Sequence, residues 1–171
     1  EDIPCRLIPK SPKIESLLIE VNLRKQKWLF FSIYIPNNYL VSTHIIEVQT
    51  VLDSLSSKYE TYLMIGYFNA EPSNQTLVGL CQIYSFVNLI KEFTCFKNLS
   101  NPSCIDLIFT NKPKSFIKSS AIETGLSNFH KMILTVLKTN FTKKPANIMR
   151  YRDYKNFSND FYRNELLFVT P

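Results

Sequence analysis

Glycine is scarce: Gly66, Gly79 and Gly125 are the only three in 171 residues. A phosphate-cradling loop or a dinucleotide fingerprint needs several glycines close together. Both are therefore excluded, and with them most nucleotide-cofactor chemistry. The four cysteines, Cys5, Cys81, Cys95 and Cys104, form no CxxC pair and match no zinc ribbon or finger. They read as free thiols of a reducing compartment. Histidine is limited to His44 and His130, and nothing beside any cysteine in the sequence supports a cysteine–histidine catalytic pair. No apolar run reaches the length of a membrane span, because Lys, Asn or Glu interrupts each one. The opening, EDIPCRLIPKSPK, is charged and proline-bearing, unlike a signal peptide. Lacking an initiator methionine, the chain reads as a fragment, or as a gene model that starts inside a domain.

What is present suits one globular domain with a real core. Hydrophobic residues make up 45% and charged residues 20% of the chain. The net charge of +6 is unevenly spread. Residues 138–163 hold seven bases (Lys138, Lys143, Lys144, Arg150, Arg152, Lys155 and Arg163) against Asp153 and Asp160. Phe141, Tyr151, Tyr154, Phe157 and Tyr162 lie among them, and charge interleaved with stacking faces suits a nucleic-acid backbone. A solvated linker followed by a helix with a core-facing stripe is the alternative reading of the same segment.

Periodicity predicts β-β-α-β-α-β-β-β. Residues 14–22 alternate as a strand, with Leu17, Ile19 and Val21 on one face and Glu20 and Asn22 opposite. Arg24-Lys25-Gln26 is a tight turn into an aromatic, β-branched strand over 27–35. Ile45, Val48, Leu52 and Leu55 recur at helical spacing over 44–58, with Thr43 as candidate N-cap. A strand over 61–66 and a helix over 73–84 follow, the latter with Pro72 near its start and Leu77, Leu80, Cys81 and Tyr84 on one face. Strands are expected over 104–110, 115–125 and 130–139, and a helix over roughly 155–168. Such an order predicts an α+β layered domain with helices outside sheets.

Four polar stretches fall at strand ends or in the loops after them: Tyr34-Ile35-Pro36-Asn37, Gly66-Tyr67-Phe68-Asn69, Ser103-Cys104-Ile105-Asp106 and Ser127-Asn128-Phe129-His130. Asp106 is unusual inside a strand and needs a partner. A histidine would serve, since an Asp–His pair sets the imidazole tautomer and supports its charged form. Taken in order, the four stretches resemble the endonuclease/exonuclease/phosphatase superfamily, most of all the apurinic-like endonuclease domain of non-LTR (LINE-type) retrotransposons. The family motif Y-x-P is YIP here, S-x-I-D is SCID, G-D-F-N is GYFN, and S-D-H or S-D-F-H is SNFH. The segments AEPSNQTL and CFKNLSNPSCIDLIFTN also look familial. YRDYKNFSNDFYRNELL is similar to the stretch that leads on to a reverse transcriptase.

The resemblance implies a four-layered sandwich, two β-sheets flanked by helices, here N-terminally truncated. It implies a partial nuclease domain over residues 1–139, then a basic linker or helix over 140–171 leading towards a reverse transcriptase. The implied reaction is hydrolysis of DNA phosphodiester bonds with Mg²⁺, on chromosomal DNA in the nucleus and away from any membrane; RNA is the alternative polynucleotide. By position, Tyr34 would contact the scissile phosphate. Asn69 would orient the nucleophile or the phosphate. Asp106 would hold His130, and His130 would stabilise transition-state charge. Lys143, Lys144, Arg150, Arg152 and Lys155 would contact nucleic acid.

Three departures set this chain apart. Tyr67 stands where the family has the Asp proposed as general base, and a phenol is almost wholly protonated at neutral pH. Asn128 stands where the family has an Asp near the metal, and a neutral amide is a weak ligand for a hard dication. The family's first strands, with an early Asn and a metal-binding Glu, have no counterpart, and neither Glu15 nor Glu20 sits in the right context. Asp codons become Tyr or Asn codons by one first-base change. The expectation is thus a degenerate endonuclease domain. A non-catalytic nucleic-acid-binding remnant and a weakly active nuclease or phosphatase are the alternatives.

Overall fold

A computed structural model of the chain describes residues 3–8, 15–23 and 26–138. The chain divides into two compact units, Glu1–Asn140 and Phe141–Pro171, and every described residue belongs to the first. The anticipated helix over 155–168 and the basic residues Lys143, Lys144, Arg150, Arg152 and Lys155 lie outside the described residues.

The element order is β1 (Cys5–Ile8), β2 (Glu15–Leu23), β3 (Gln26–Tyr34), α1 (Val41–Leu55), β4 (Thr61–Tyr67), α2 (Gln75–Tyr84), β5 (Val87–Asn88), β6 (Asp106–Thr110), a 3₁₀ turn (Pro113–Ser115), β7 (Phe116–Ile122) and β8 (Met132–Leu137). Six strands form one sheet in the order β1-β2-β3-β4-β6-β5, and β7 and β8 pair as a second sheet. The architecture is α+β, two sheets with helices, as the motif order implied.

Sequence chemistry accounts for most of these elements. In β2 and β3 the pairing runs from Glu15 opposite Tyr34 to Leu23 opposite Gln26, which leaves a two-residue connection. β4 runs parallel to β3, which requires a crossover, and α1 supplies it. The apolar stripe of α1 buries Ile45, Val48 and Leu52 as its spacing predicts. Burying each such side chain stabilises the fold by roughly 1.5–3 kcal/mol. In α2 the Asn74 side chain accepts from the backbone N–H groups of Thr76 and Leu77, a polar start the helix needs. Leu18, Leu29, Phe31, Met64, Phe68, Leu80 and Phe109 are among the fully buried side chains of the single core. The second sheet joins that core through Phe116, Ile133 and Leu137, with Phe116 edge-on to Trp28 at 6.0 Å between ring centroids. Alternation turns Met132, Leu134 and Val136 outward.

Several expectations need correction. Thr43 does not cap α1; the cap position is Leu40, which makes no side-chain capping bond, and Thr43 lies inside the helix. In β2 the expected core face, Leu17-Ile19-Val21, is only partly covered, and Leu17 is exposed. The opposite face buries Leu18 and Glu20. Glu20 tolerates burial because its Oε2 accepts from the Tyr59 hydroxyl at 2.6 Å and from the Arg6 guanidinium at 3.1 Å. Glu20 does lie opposite the Leu17-Ile19-Val21 face, and that opposite face is the more deeply covered one. The strands expected over 104–110 and 130–139 start later, at Asp106 and Met132. β1 and β5 are too short, at four and two residues, to show a period in sequence.

The central ladder continues past the strand ends. The Ile35 N–H donates to the Tyr67 carbonyl at 2.9 Å, and the Phe68 N–H donates to the Ile105 carbonyl at 2.8 Å. These bonds hold the segments after β3 and β4 and before β6 side by side. Gly66 of β4 is the register partner of Ile33 of β3. A Cβ there would lie 1.8 Å from the Ile33 carbonyl oxygen, and φ is +152°, a value that L side chains rarely adopt.

Candidate active site

Three of the four polar stretches converge at that end of the sheet, and the fourth reaches it through the loop before β8. Tyr34 ends β3, Tyr67 ends β4 and Asp106 opens β6. Tyr34 pairs with Tyr67, and Tyr67 with Asp106, in the strand register. The rings of Tyr34 and Tyr67 stack at 5.6 Å with 28° between planes. His130 is brought in from a different loop. The Ser127 hydroxyl accepts from the N–H groups of Phe129 and His130, fixing the turn.

His130 Nδ1 lies 2.9 Å from Asp106 Oδ2. A carboxylate only accepts, so Nδ1 carries the proton and Nε2 presents its lone pair. Asp106 is held in turn: Thr94, fully buried, accepts through its hydroxyl from the N–H groups of Ile105 and Asp106 at 3.1 and 3.0 Å. The Tyr67 ring stands edge-on to the imidazole, 5.7 Å between centroids. Its hydroxyl lies 3.1 Å from the amide oxygens of both Asn37 and Asn69. Asn69 reaches that position from a left-handed backbone, φ 50°, which Asn tolerates better than most residues. Burial pushes the Tyr67 phenol above its ordinary pKa, with Cys95, Asp106 and Tyr34 adding to the effect. It is a hydrogen-bond donor here, not a base.

These residues open on a cleft of about 890 Å³, lined by Asn37, Tyr67, Asn69, Cys95, Lys97 and His130 among others. Tyr34 stacks behind Tyr67 and Asp106 sits behind His130; neither lines the cleft. Asn128 is exposed and is not among the lining residues. Sequence reasoning missed Thr94, Cys95 and Lys97, which lie in the loop before β6. Asn37 was quoted with its motif and given no role. Missing most of all was the proximity of Cys95 to His130: Cys95 Sγ is 3.5 Å from His130 Nε2, across 35 residues of sequence. Nothing beside any cysteine in the sequence pointed to this contact, because a strand-like pairing between the two loops is invisible in local spacing.

The magnesium that the resemblance implies meets a poor donor set. Asp106 spends one oxygen on His130. Tyr67, Asn37 and Asn69 are neutral, and their polar atoms are engaged with one another. Among the described residues no three His, Cys, Asp or Glu side chains form a group that could hold a metal ion. A hard dication is held by carboxylate oxygens or through substrate phosphates. The residues present do not fit it.

No protein-family model matches the chain, and no curated protein matches its sequence. Solved structures do share the fold. The endonuclease domain of TRAS1, a telomere-specific non-LTR retrotransposon, superimposes with a TM-score of 0.65 at 13% identity, over 80% of this chain and 68% of that one. An endonuclease/exonuclease/phosphatase family protein from Leptotrichia buccalis gives 0.52 at 17% identity, over 74% and 53%. The cytolethal distending toxin of Actinobacillus actinomycetemcomitans gives 0.51 at 13% identity, over 80% and 60%. The chain thus spans between about half and two thirds of the length of these neighbours. Among the described residues no helix is long and apolar enough to cross a membrane.

Proposed function

From the endonuclease/exonuclease/phosphatase fold that the chain adopts, we propose that it is a degenerate endonuclease domain of the non-LTR retrotransposon type. It would bind nucleic acid, DNA foremost, in the cleft in front of Tyr67 and His130, and would cleave it poorly or not at all. The observation that carries this reading is the state of Tyr67. At the strand end beside Asp106 it places a half-buried, protonated phenol whose hydroxyl lies within hydrogen-bond distance of the Asn37 and Asn69 amide oxygens. Losing a general base costs roughly 10²–10⁴ in rate. The His130–Asp106 pair keeps the geometry that would stabilise charge on a phosphate, so binding outlasts turnover. Lys97 adds a cation at the cleft, and contact of Lys143, Lys144, Arg150, Arg152 and Lys155 with nucleic acid, argued from their sequence pattern alone, belongs to the same proposal. Nuclear localisation, and a reverse transcriptase in the same polypeptide, belong to this proposal.

The test is nicking of supercoiled plasmid by the purified chain with Mg²⁺, beside an EDTA control and His130→Ala. The expected result is no nicking above either control, together with DNA affinity that falls steeply with salt as counterions are released. Nicking that disappears in both controls would show an active enzyme and overturn the proposal. An absence of salt-dependent DNA binding by the folded chain would overturn its binding half.

A further inference from the structure

Cys95, His130 and Asp106 stand in line. Sγ lies 3.5 Å from Nε2, and Nδ1 lies 2.9 Å from Oδ2. Where Nδ1 donates to the carboxylate in the neutral imidazole, Nε2 is the nitrogen left to accept the thiol proton. Nucleophile, base and orienting acid thus occur in the order that nucleophilic catalysis requires. The backbone fixes the pair on both sides. Phe96 N–H donates to the Phe129 carbonyl at 2.7 Å, and Lys131 N–H donates to the Thr94 carbonyl at 2.8 Å. Cys95 and His130 are therefore the non-hydrogen-bonded pair between those bonds, the type whose side chains approach most closely. On its other edge Cys95 exchanges two backbone bonds with Ser103, each 2.9 Å. Lys131 lies over the Phe96 ring, 4.6 Å from its centroid, and ties the same two segments together.

The other cysteines supply an internal contrast. Cys81 and Cys104 are pushed up to about 11, Cys81 by burial and Cys104 by burial first and then by Glu71 and Asp106. Cys5 is exposed at the sheet edge. Cys95 is as buried as Cys104, but it lines the cleft, which neither Cys81 nor Cys104 does. Asn98 and Asn101 line it too. The Asn98 amide oxygen accepts from Ser100 N–H.

We propose that Cys95 is a nucleophile served by His130, with Asp106 as positioning residue, and that it accepts acyl groups from activated esters or thioesters. Sγ attacks the acyl carbonyl carbon and its proton passes to His130 Nε2. The carbon–oxygen or carbon–sulfur bond to the leaving group breaks, and the leaving group takes that proton. An acyl thioester remains on Cys95, and water releases it as the carboxylic acid. Neither phosphate nor metal enters the step, which uses the same cleft and the same His130–Asp106 pair as the nucleic-acid reading; the acyl burst and the salt-dependent DNA affinity test the two separately.

The test uses the full chain and p-nitrophenyl acetate. The expected result is a burst of about one p-nitrophenolate per chain, the hallmark of an accumulating acyl-enzyme. Peptide mapping should place the acetyl group on Cys95. His130→Gln should slow the burst by roughly 10² or more. Asp106→Asn, which keeps the shape and disturbs the tautomer, should also slow it strongly, and it decides the question if His130→Gln does not fold. Acetyl groups on lysines or on other cysteines would overturn the proposal. So would a burst rate indifferent to the variant that folds.

Discussion

Tyr67 and Asp106 are register partners across the β4–β6 ladder, so their side chains leave adjacent strands at the same level. Directly opposite residues hold their Cβ atoms about 4.5–5.5 Å apart. A carboxylate at position 67 would thus stand beside that of Asp106, and two like charges at that range call for a cation. The phenol removes the demand. Tyr67→Asp should restore it: the variant should lose stability in EDTA and regain it with Mg²⁺. At tenfold excess over its dissociation constant the ion adds about 1.4 kcal/mol, a melting shift of roughly 3–6 °C for a chain of this size. The wild-type chain should show no shift. Thermal scans of both proteins with and without Mg²⁺ decide it, and a variant indifferent to Mg²⁺ would refute the argument.

Thr94 supports the site from beneath. Its hydroxyl is an acceptor for two backbone N–H groups, those of Ile105 and Asp106. Thr94→Val leaves both without it at a fully buried position. Each unsatisfied group costs about 1–3 kcal/mol, so urea unfolding should show a loss of roughly 2–6 kcal/mol. Thr94→Ser keeps the oxygen and should recover most of it. Equal losses in the two variants would mean that the methyl group, not the hydroxyl, matters.

Gly66 has no room for a methyl group. Gly66→Ala drives a Cβ into the backbone of Ile33 and demands a positive φ. Overpacking costs about 1–3 kcal/mol, and the added backbone penalty places the expected loss at the top of that range. Gly79→Ala, where a Cβ meets nothing within 4 Å, is the matched control in the α2 helix and should be neutral or stabilising. Chemical denaturation of the pair measures the contrast.

Glu20 makes the sheet acid-sensitive. The Tyr59 hydroxyl first, then the Arg6 and Lys27 charges, hold its carboxyl below the ordinary pKa against the opposing effect of burial. Its folded pKa being depressed, its contribution is complete above the unfolded value of about 4.3 and is lost as pH falls through the folded value. Glu20→Gln should flatten the stability profile below about pH 5 relative to wild type. Unchanged profiles would assign the acid sensitivity to other carboxylates.

How much of this was legible in the sequence varied with the range of the interaction. The helical stripes Ile45-Val48-Leu52 and Leu77-Leu80-Cys81-Tyr84, with Pro72 before the second, are local, and they placed α1 and α2 within a few residues. The strands β2, β3 and β4 were legible because each carries enough residues to show a pattern. The burial of Glu20 depends on Arg6 and Tyr59, which local alternation cannot see. Asp106 could be singled out, since an acid in a strand demands a partner, and His130 stands at hydrogen-bond distance. Thr94 and Cys95 could not. They sit in an irregular stretch whose pairing partners, Ser103 and His130, come from two different loops.

The neighbours Gly66 and Tyr67 respond to change in opposite ways. At 66 the space is owned by the Ile33 backbone of β3, and any substitution is felt by the whole sheet. At 67 the side chain leans into an open cleft, so an acid can give way to an aromatic ring with the scaffold left standing. Two adjacent codons therefore answer to different judges, one to folding and one to chemistry. A chain released from the demands of cleavage could lose its reaction one base at a time while its architecture stayed recognisable.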